Sequence, residues 1–282
     1  MSRRIGRSGT GPRLHRHESI RVGLRRVLLA GLDQACQAMA DENESVAEQV
    51  HRARVALKRT RAVLRLIEAC GVGWARDTRR RMARLAREFS RMRDAEVLGQ
   101  ARRKLGLTAA LSDTDFGGSW PDWQEEAKAE RQQLARRHWP VLQRVDCLKA
   151  LAESATRLQR REAAARTDAG ARRLHDWRKS VIVLREQLNV LHEILSPQQQ
   201  RYAGKLHPVA RKLGAARDLT LLLTVEKGGH ATAARQVRVA RVREARRKKV
   251  KAACRLAVGL ADALCAEFDP RRGMKATRSR SK

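Results

Sequence analysis

Aromatic side chains are scarce in this chain, at 3% of residues, and proline occurs only six times in 282 residues. Residues that favour helices dominate instead, chiefly alanine, leucine, arginine, glutamate and glutamine. No segment has the alternation of apolar and polar residues that is typical of a strand. Composition and pattern together predict an all-α protein.

Cysteine pairs and long apolar runs are also missing. The five cysteines are scattered without a CxxC pair, and they are Cys36, Cys70, Cys147, Cys254 and Cys265. Scattered thiols in odd number indicate reduced, mostly buried cysteines. No run approaches the roughly 18 apolar residues of a membrane span, and Arg25 and Arg26 interrupt the early apolar stretch, which is unlike a signal peptide. We therefore expect a cytoplasmic protein.

Acidic residues are too few to balance the basic ones. The chain has 62 Lys and Arg against 30 Asp and Glu, a formal net charge of +32. Residues 1–17 carry five of these cations and residues 270–282 carry six, with no acid in either segment, so +21 remains on the body between them. Self-repulsion of that size destabilises a compact state unless an anion neutralises it. Nucleic acid, an anionic membrane and inorganic polyphosphate are all candidate partners.

One motif occurs twice at a constant offset. His51 and Arg54 are repeated as His175 and Arg178, 124 residues later. A second block, 85–94, is repeated as 209–218 at the same offset, ending in Arg-Asp both times. Two separated blocks in one register indicate an internal duplication. We predict a first repeat over 18–166 and a second over 167–268, flanked by a disordered basic arm (1–17) and tail (269–282).

Capping and breaking residues predict where the helices lie. Ser45 with Glu48, and Ser196 with Pro197 and Gln199, have the spacing of capping boxes. The sequence predicts a loop over 106–121, a bend near Pro140 and a kink at Pro208. The predicted helices are 18–40, 45–70, 75–104, 122–165, 171–195, 196–225 and 231–267.

The helix predicted over 45–70 has a cationic stripe beside an apolar one. The cations step by three and four residues along one face, and they are His51, Arg54, Lys58, Arg61 and Arg65. The adjacent apolar face consists of Val50, Ala53, Leu57, Thr60, Leu64 and Ile67. The following helix repeats the design with Arg80, Arg84, Arg87, Arg91 and Asp94 beside Met82, Leu85, Phe89 and Met92. Packed through their apolar faces, the two helices would flank one groove with cations.

These stripes are not ordinary solvated helix faces, because such faces mix charges of both signs. Between Val50 and Glu88 the only acids are Glu68 and Asp77. Arginine suits an anion site, since its planar fork donates two parallel hydrogen bonds to one phosphate. The two histidines fit either direct contact with an anion or a structural role.

The second copy is weaker than the first. Ile182 and Val183 stand where the first copy has Lys58 and Arg59, and 175–222 holds eight Lys and Arg against 14 in 51–98. We expect the anion to contact the remaining second-copy cations, which are His175, Arg178, Lys179, Arg185, Arg211 and Arg217. Asp94 and Asp218 are expected to hold neighbouring arginines in place. A basic run from Arg235 to Lys251 could supply the missing charge.

The paired His-x-x-Arg helices, the run from Arg54 to Arg61 and the two later Arg-Asp pairs resemble the CHAD (conserved histidine α-helical domain) family. The resemblance covers roughly residues 18–268. It implies two four-helix bundles related by a pseudo-twofold axis, with a basic groove or pore between them. It also implies that His51, Arg54, Lys58, Arg61, His175, Arg178 and Arg185 line a site for long-chain inorganic polyphosphate, at polyphosphate granules.

The resemblance and the residues favour binding without catalysis. Many relatives carry a CYTH triphosphate hydrolase domain, whose Glu-x-Glu-x-Lys signature is absent here, because Glu42-Asn43-Glu44 leads only to Val46. No Walker loop, acidic metal cluster or nucleophile–base pair is recognisable in the sequence, so no metal or other cofactor is expected. The full predicted binding set adds Arg59, Arg65, Arg80, Arg84, Arg87, Arg91, Lys179, Arg211 and Arg217 to the residues implied by the family. The alternative is an architectural nucleic-acid-binding protein that uses the same surface and tails.

Overall fold

The computed structural model describes residues 12–89, 120–227 and 232–269. Within these ranges the chain forms nine α-helices, one short 3-10 helix (His192–Ile194) and no strand, which confirms the prediction of an all-α protein. In chain order the α-helices are α1 (Ile20–Met39), α2 (Val46–Ala69), α3 (Trp74–Glu88), α4 (Trp120–Arg136), α5 (Arg144–Thr167), α6 (Ala171–Val190), α7 (Pro197–Lys227), α8 (Ala233–Ala257) and α9 (Leu260–Glu267).

The two predicted capping serines start their helices. Ser45 Oγ accepts a hydrogen bond from the backbone N–H of Glu48 at 3.3 Å at the start of α2. At the start of α7, Ser196 Oγ accepts from the N–H of Gln199 at 3.3 Å, and the Gln199 side chain accepts from the N–H of Ser196 at 3.1 Å. Each cap satisfies N–H groups that have no partner inside the helix.

The prediction of one bent helix over 122–165 is wrong, because the structure has two helices there. α4 ends at Arg136 and α5 begins at Arg144. Pro140 has no N–H to donate and disfavours helical backbone before it. Trp139 packs edge-on against Trp74 with ring centroids 4.9 Å apart, and its Nε1 donates to the Leu134 carbonyl at 3.3 Å. The break therefore serves to bury a tryptophan.

The prediction of one helix over 231–267 is also wrong. α8 ends at Ala257 and α9 begins at Leu260, because Gly259 between them adopts the left-handed conformation with φ +66°. Pro208, in contrast, lies inside α7 without ending it. α3 ends at Glu88, and the rest of the helix predicted over 75–104 lies outside the described residues, as does the loop predicted over 106–121 up to residue 119.

The disorder predicted for 1–17 is wrong for residues 12–17, while residues 1–11 lie outside the described ranges, as do residues 270–282 of the predicted tail. Leu14 is buried, and its N–H donates to the Val190 carbonyl at 2.9 Å. Arg26 of α1 donates to the Arg13 carbonyl at 2.6 Å. This N-terminal strap connects α1 to the end of α6, and apolar contact at Leu14 stabilises it.

α2 lies at the centre of the helices, where it packs against α1, α3, α5 and α6. α7 packs against α6 on one side and α8 on the other. One continuous apolar core joins these helices, and it contains the predicted apolar faces of α2 and of α3 as far as Phe89. The contact between α2 and α6, called the α2–α6 seam below, brings the two copies of the repeated motif together.

Helix order in the second half follows that of the first. α1 and α5 begin at residues 20 and 144, α2 and α6 at 46 and 171, and α3 and α7 at 74 and 197, so each pair is 123 to 125 residues apart. Neighbours also correspond, since α4 packs on α1 and α9 packs on α5. A duplicated unit would have these features. The arrangement as two four-helix bundles stays a prediction.

Candidate anion-binding site

The cationic stripe of α2 lies close to cations of two other helices. Burial lowers the pKa of Arg61, and Arg79 and Arg87 of α3 lower it further. Burial also lowers the pKa of Arg65 to about 10, and Arg79 of α3 and then Arg157 and Arg161 of α5 lower it further, whereas Glu68 opposes the reduction. Within the described part of the chain, neither Arg61 nor Arg65 forms an ion pair.

α6 presents its own cations to the same place. The pKa of Lys179 is lowered by burial first and then, against the opposing carboxylate of Asp176, by Arg61, Arg161 and Arg65. Burial likewise lowers the pKa of the His175 imidazole, and Lys179, Arg217 and Arg178 add to the effect. A lowered pKa of a base means that its charged form lacks solvation and lies among like charges.

Lys58 lies in the α2–α6 seam. Burial lowers its pKa to about 8, and Arg185, Arg178 and Arg59 contribute to the reduction, whereas Glu186 opposes it. Its counterpart in the second copy, Ile182, is buried in the core. The seam therefore holds one lysine from α2 where a symmetric pair would hold two.

Together these groups form one site, to which five helices contribute. We call it the central cationic cluster; its members are Lys58, Arg61, Arg65, Arg79, Arg87, Arg157, Arg161, His175, Arg178, Lys179 and Arg217. Few acids lie close to it. Glu68 pairs with Arg79 at 2.7 Å, and Asp218 Oδ1 lies 3.8 Å from Arg217 Nη1. An arrangement of this kind attracts anions, because a bound anion would relieve mutual repulsion among the cations.

One buried acid balances part of the seam. Glu186, with its side chain 5% exposed, lies 3.5 Å from Arg59 Nε through its Oε2 and accepts a hydrogen bond from Arg185 through Oε1. Arg185 also contacts His207 Nδ1 at 3.2 Å. Arg59 and Arg185, both predicted to contact the anion, are thus partly neutralised within the protein.

The other predicted residues lie at the margins or outside the described ranges. Arg54 donates to the Ala86 carbonyl at 3.0 Å and so ties α2 to α3. Arg80 is exposed and lies 3.5 Å from Asp77. His51, Arg84 and Arg211 are exposed and are not members of the central cationic cluster. Arg91 and Asp94 lie outside the described residues.

Three cluster residues escaped the sequence analysis: Arg79, Arg157 and Arg161. Arg157 and Arg161 are four residues apart on α5 and so share a face. Their partners at the 124-residue offset are Asp33 and Gln37, so the repeat could not find them. Arg161 donates to the Asp176 carbonyl at 3.2 Å and to Ser180 Oγ at 3.3 Å, which fixes it against α6. Helical spacing on α5 alone was the available signal.

Over the residues that the structure describes, no group of three or more His, Cys, Asp or Glu side chains could hold a metal ion. None of the described helices is long and apolar enough to cross a membrane.

In the part of the chain that the structure describes, the helical fold and the cations gathered from five helices define the class of this protein as an all-α protein with a basic site. Residues 26–146 match the family model described as the CHAD domain, which confirms the resemblance indicated by the repeated motif. A crystal structure described as the CHAD domain from the plant Ricinus communis is similar at 17% identity with a TM-score of 0.49, covering 92% of this chain and 93% of that one. A comparison with curated proteins gave no match.

Proposed function

We propose that the central cationic cluster binds long-chain inorganic polyphosphate and catalyses no reaction on it. The observation that carries the proposal is that Arg61 and Arg65 of α2 lower the pKa of Lys179 on the facing helix α6, while no ion pair in the described residues neutralises any of the three. Resemblance to the CHAD family supplies polyphosphate as the ligand. We propose further that residues 167–268 form the second repeat of the domain, as the equal spacing of helix starts supports.

Polyphosphate suits the shape of the cluster as well as its charge. Lys58, Arg61 and Arg65 follow one face of α2 over about 10 Å, and Arg178 and Lys179 lie across the seam. A thin, flexible chain with one charge on each phosphate can follow such a recessed line of cations. Affinity should then fall steeply with salt, since binding releases counterions, as it does for other linear polyanions.

The decisive experiment compares two triple variants in binding fluorescent long-chain polyphosphate. K58A/R61A/R65A removes three cluster cations, and R136A/R144A/K149A removes three exposed cations of α4 and α5 outside the cluster. Each charge-assisted hydrogen bond contributes roughly 1.5–3 kcal/mol, so the first variant should bind more than a hundredfold more weakly and the second nearly as well as the parent. Circular dichroism should report the same helix content for all three, because alanine is a good helix former.

Equal losses in both variants would contradict the proposal, since only total charge would then matter. Double-stranded DNA that displaces polyphosphate at equal phosphate concentration would favour the architectural nucleic-acid alternative for this site. Progressive shortening of the chain in the presence of magnesium would contradict the non-catalytic assignment. A fluorescent fusion that does not overlap stained polyphosphate granules would remove the proposed localisation.

A further inference from the structure

α8 carries a second concentration of positive charge away from the central cationic cluster. Its 25 residues contain ten Lys and Arg and one acid, Glu244. The cations that lower the pKa values of cluster members come instead from α2, α3, α5, α6 and α7. The basic run that the sequence offered as compensation for the weaker second copy is therefore a separate surface.

The inner side of α8 is fixed against α7, which leaves the outer side available. Val242 is fully buried against Leu219 and Leu222 of α7. Arg246 donates to Thr220 Oγ1 at 3.0 Å and to the Ala169 carbonyl at 2.5 Å, and Arg238 lies 3.2 Å from the buried carboxylate of Glu226. These contacts hold the backbone of α8 against α7, so the outward side chains all project from one fixed helix axis.

The outer face holds cations that the protein leaves unneutralised. Arg241, Lys251 and Arg255 are exposed and form no ion pair within the described ranges. Helical geometry places them on one face that extends about 21 Å from Arg241 to Arg255. Arg247 and Lys248 lie on the same face and share Glu244 at 2.9 and 3.8 Å.

All five cations of the outer face of α8 are exposed, whereas eight of the eleven members of the central cationic cluster are half-buried and Arg87, Arg157 and Lys179 are exposed. The side chains of Arg247 and Lys248 are 79% and 74% exposed, whereas those of Arg79 and Arg217 in the cluster are 19% and 25% exposed. A thin chain can approach the half-buried cations of the cluster more closely than a rigid duplex can. A convex helical face with projecting cations can lie along the backbone of a duplex, where phosphates supply one charge per about 1.7 Å of axis.

We propose that the outer face of α8 binds the phosphate backbone of double-stranded nucleic acid, independently of base sequence. A membrane surface fits less well, because helices that lie in membranes bury an apolar face with large anchors. The apolar side of α8 packs on α7, and its large exposed apolar residues are Val237 and Leu256. Two parts of the test rest on the proposed function: simultaneous binding of a duplex and polyphosphate, and the use of polyphosphate binding as the control for folding.

The test measures anisotropy of a labelled duplex of about 30 base pairs across a salt series, using the full chain. R241Q/K251Q/R255Q should bind the duplex at least tenfold more weakly, with the slope of log K against log salt reduced in magnitude by about 2.7. R136Q/R144Q/K149Q, which removes the same charge elsewhere, should bind within threefold of the parent. Polyphosphate binding by the α8 variant should be unchanged, which also verifies that it is folded.

Duplex binding within twofold of the parent by the α8 variant would overturn the proposal. The parent protein is also tested with phosphatidylserine vesicles. If the vesicles bind it, prevent duplex binding and no longer bind the α8 variant, a membrane surface replaces the duplex as the proposed partner. Co-migration of labelled duplex and labelled polyphosphate with one protein band would support separate sites, and mutual displacement would count against them. If neither the parent nor K58A/R61A/R65A binds polyphosphate, the proposed function is rejected, but the result for the duplex still stands.

Discussion

α2 and α6 carry the two copies of one motif and face each other across the seam, yet they handle charge in opposite ways. α2 projects Lys58, Arg61 and Arg65, and none of the three forms an ion pair within the described residues. α6 has a buried isoleucine at 182, and at 186 it has a buried glutamate where the first copy has Ala62. The first copy therefore supplies three cations without an ion pair, whereas the second supplies a buried apolar residue and a buried counter-charge in addition to Lys179.

This difference between the copies reduces electrostatic repulsion among the cations at the α2–α6 seam. A lysine at 182 would bring another cation to a place where Lys58 already has a pKa of about 8. Glu186 instead attracts Arg59 and Arg185 from both sides. Asymmetry between the copies thus limits repulsion at the contact on which the fold depends, while most cluster cations stay available to a ligand.

The comparison is most directly tested by removing two cations from each helix. R61Q/R65Q on α2 should weaken polyphosphate binding by about 4 kcal/mol, near a thousandfold, since both side chains are free to bind phosphate. R178Q/K179Q on α6 should cost about half as much. Isothermal titration calorimetry measures both variants, and an equal or larger loss on α6 would remove the proposed division between the copies.

Restoring the missing lysine tests whether packing explains the second copy. Ile182→Lys should reduce the free energy of unfolding by about 3 kcal/mol, because it buries an unpaired charge at a position 6% exposed. Val183→Lys, at a half-buried position, should cost about 1 kcal/mol. Urea denaturation gives both values. A fully stable Ile182→Lys variant would mean that packing does not forbid charge there.

The next largest expected effect is on stability, when the buried carboxylate of Glu186 is neutralised. Glu186→Gln should destabilise the ligand-free protein by about 2 kcal/mol, below the 3–5 typical of a broken buried pair, because its partners are partly solvated. Glu153→Gln, an exposed acid on α5, is the control and should have no measurable effect. Polyphosphate should restore much of the lost stability by linkage. Thermal unfolding with and without ligand measures this, and an unchanged midpoint for Glu186→Gln would contradict the assigned role.

The smallest predicted effect depends on pH and on Lys58 alone. Bound phosphate should return the pKa of Lys58 from about 8 toward its ordinary value of 10.5, so the complex holds the proton more tightly than the free protein. Affinity should then fall about 20-fold between about pH 7.5 and 9.5. Lys58→Arg should abolish most of this fall, since arginine stays charged. Polyphosphate affinity measured against pH provides the test, and identical profiles for the parent and Lys58→Arg would contradict the assignment of the pH dependence to Lys58.

The same lysine affects stability without ligand, with the opposite dependence on pH. Its pKa in the folded protein lies below the unfolded value, so the unfolded chain binds more protons between about pH 8 and 10.5. The contribution of Lys58 to the free energy of unfolding therefore rises with pH across that window.

Sequence reasoning predicted those features of the fold that depend on local chemistry. Ser45 and Ser196 start helices because their side chains reach N–H groups within the next turn, and that spacing is readable directly. The interruptions at Pro140 and Gly259 were harder to predict. Whether a proline bends, breaks or merely occupies a helix depends on what packs around it, as Pro140 and Pro208 demonstrate within one chain.

The candidate site was predictable along each helix but not between helices. Steps of three and four residues located the α2 cations, and the repeat located His175 and Arg178. Arg157 and Arg161 join the cluster only because α5 packs against both α2 and α6. Glu186 was missed as a partner of Arg59 because the pair depends on the three-dimensional contact at the seam. Contacts between residues of different helices produce no regular spacing of residue types by which a single sequence could reveal them.

The N-terminal strap has a practical consequence for handling the molecule. Arg16 donates its N–H to Glu193 at 3.2 Å, two residues beyond Leu191, while Glu18 binds Arg26 in α1. An affinity tag or a fluorophore attached before this segment would disturb contacts that connect α1 to the end of α6. Labels that report ligand binding are therefore better attached elsewhere in the chain. Proteolysis between residues 18 and 20 should weaken the connection that residues 12–18 make between α1 and the end of α6.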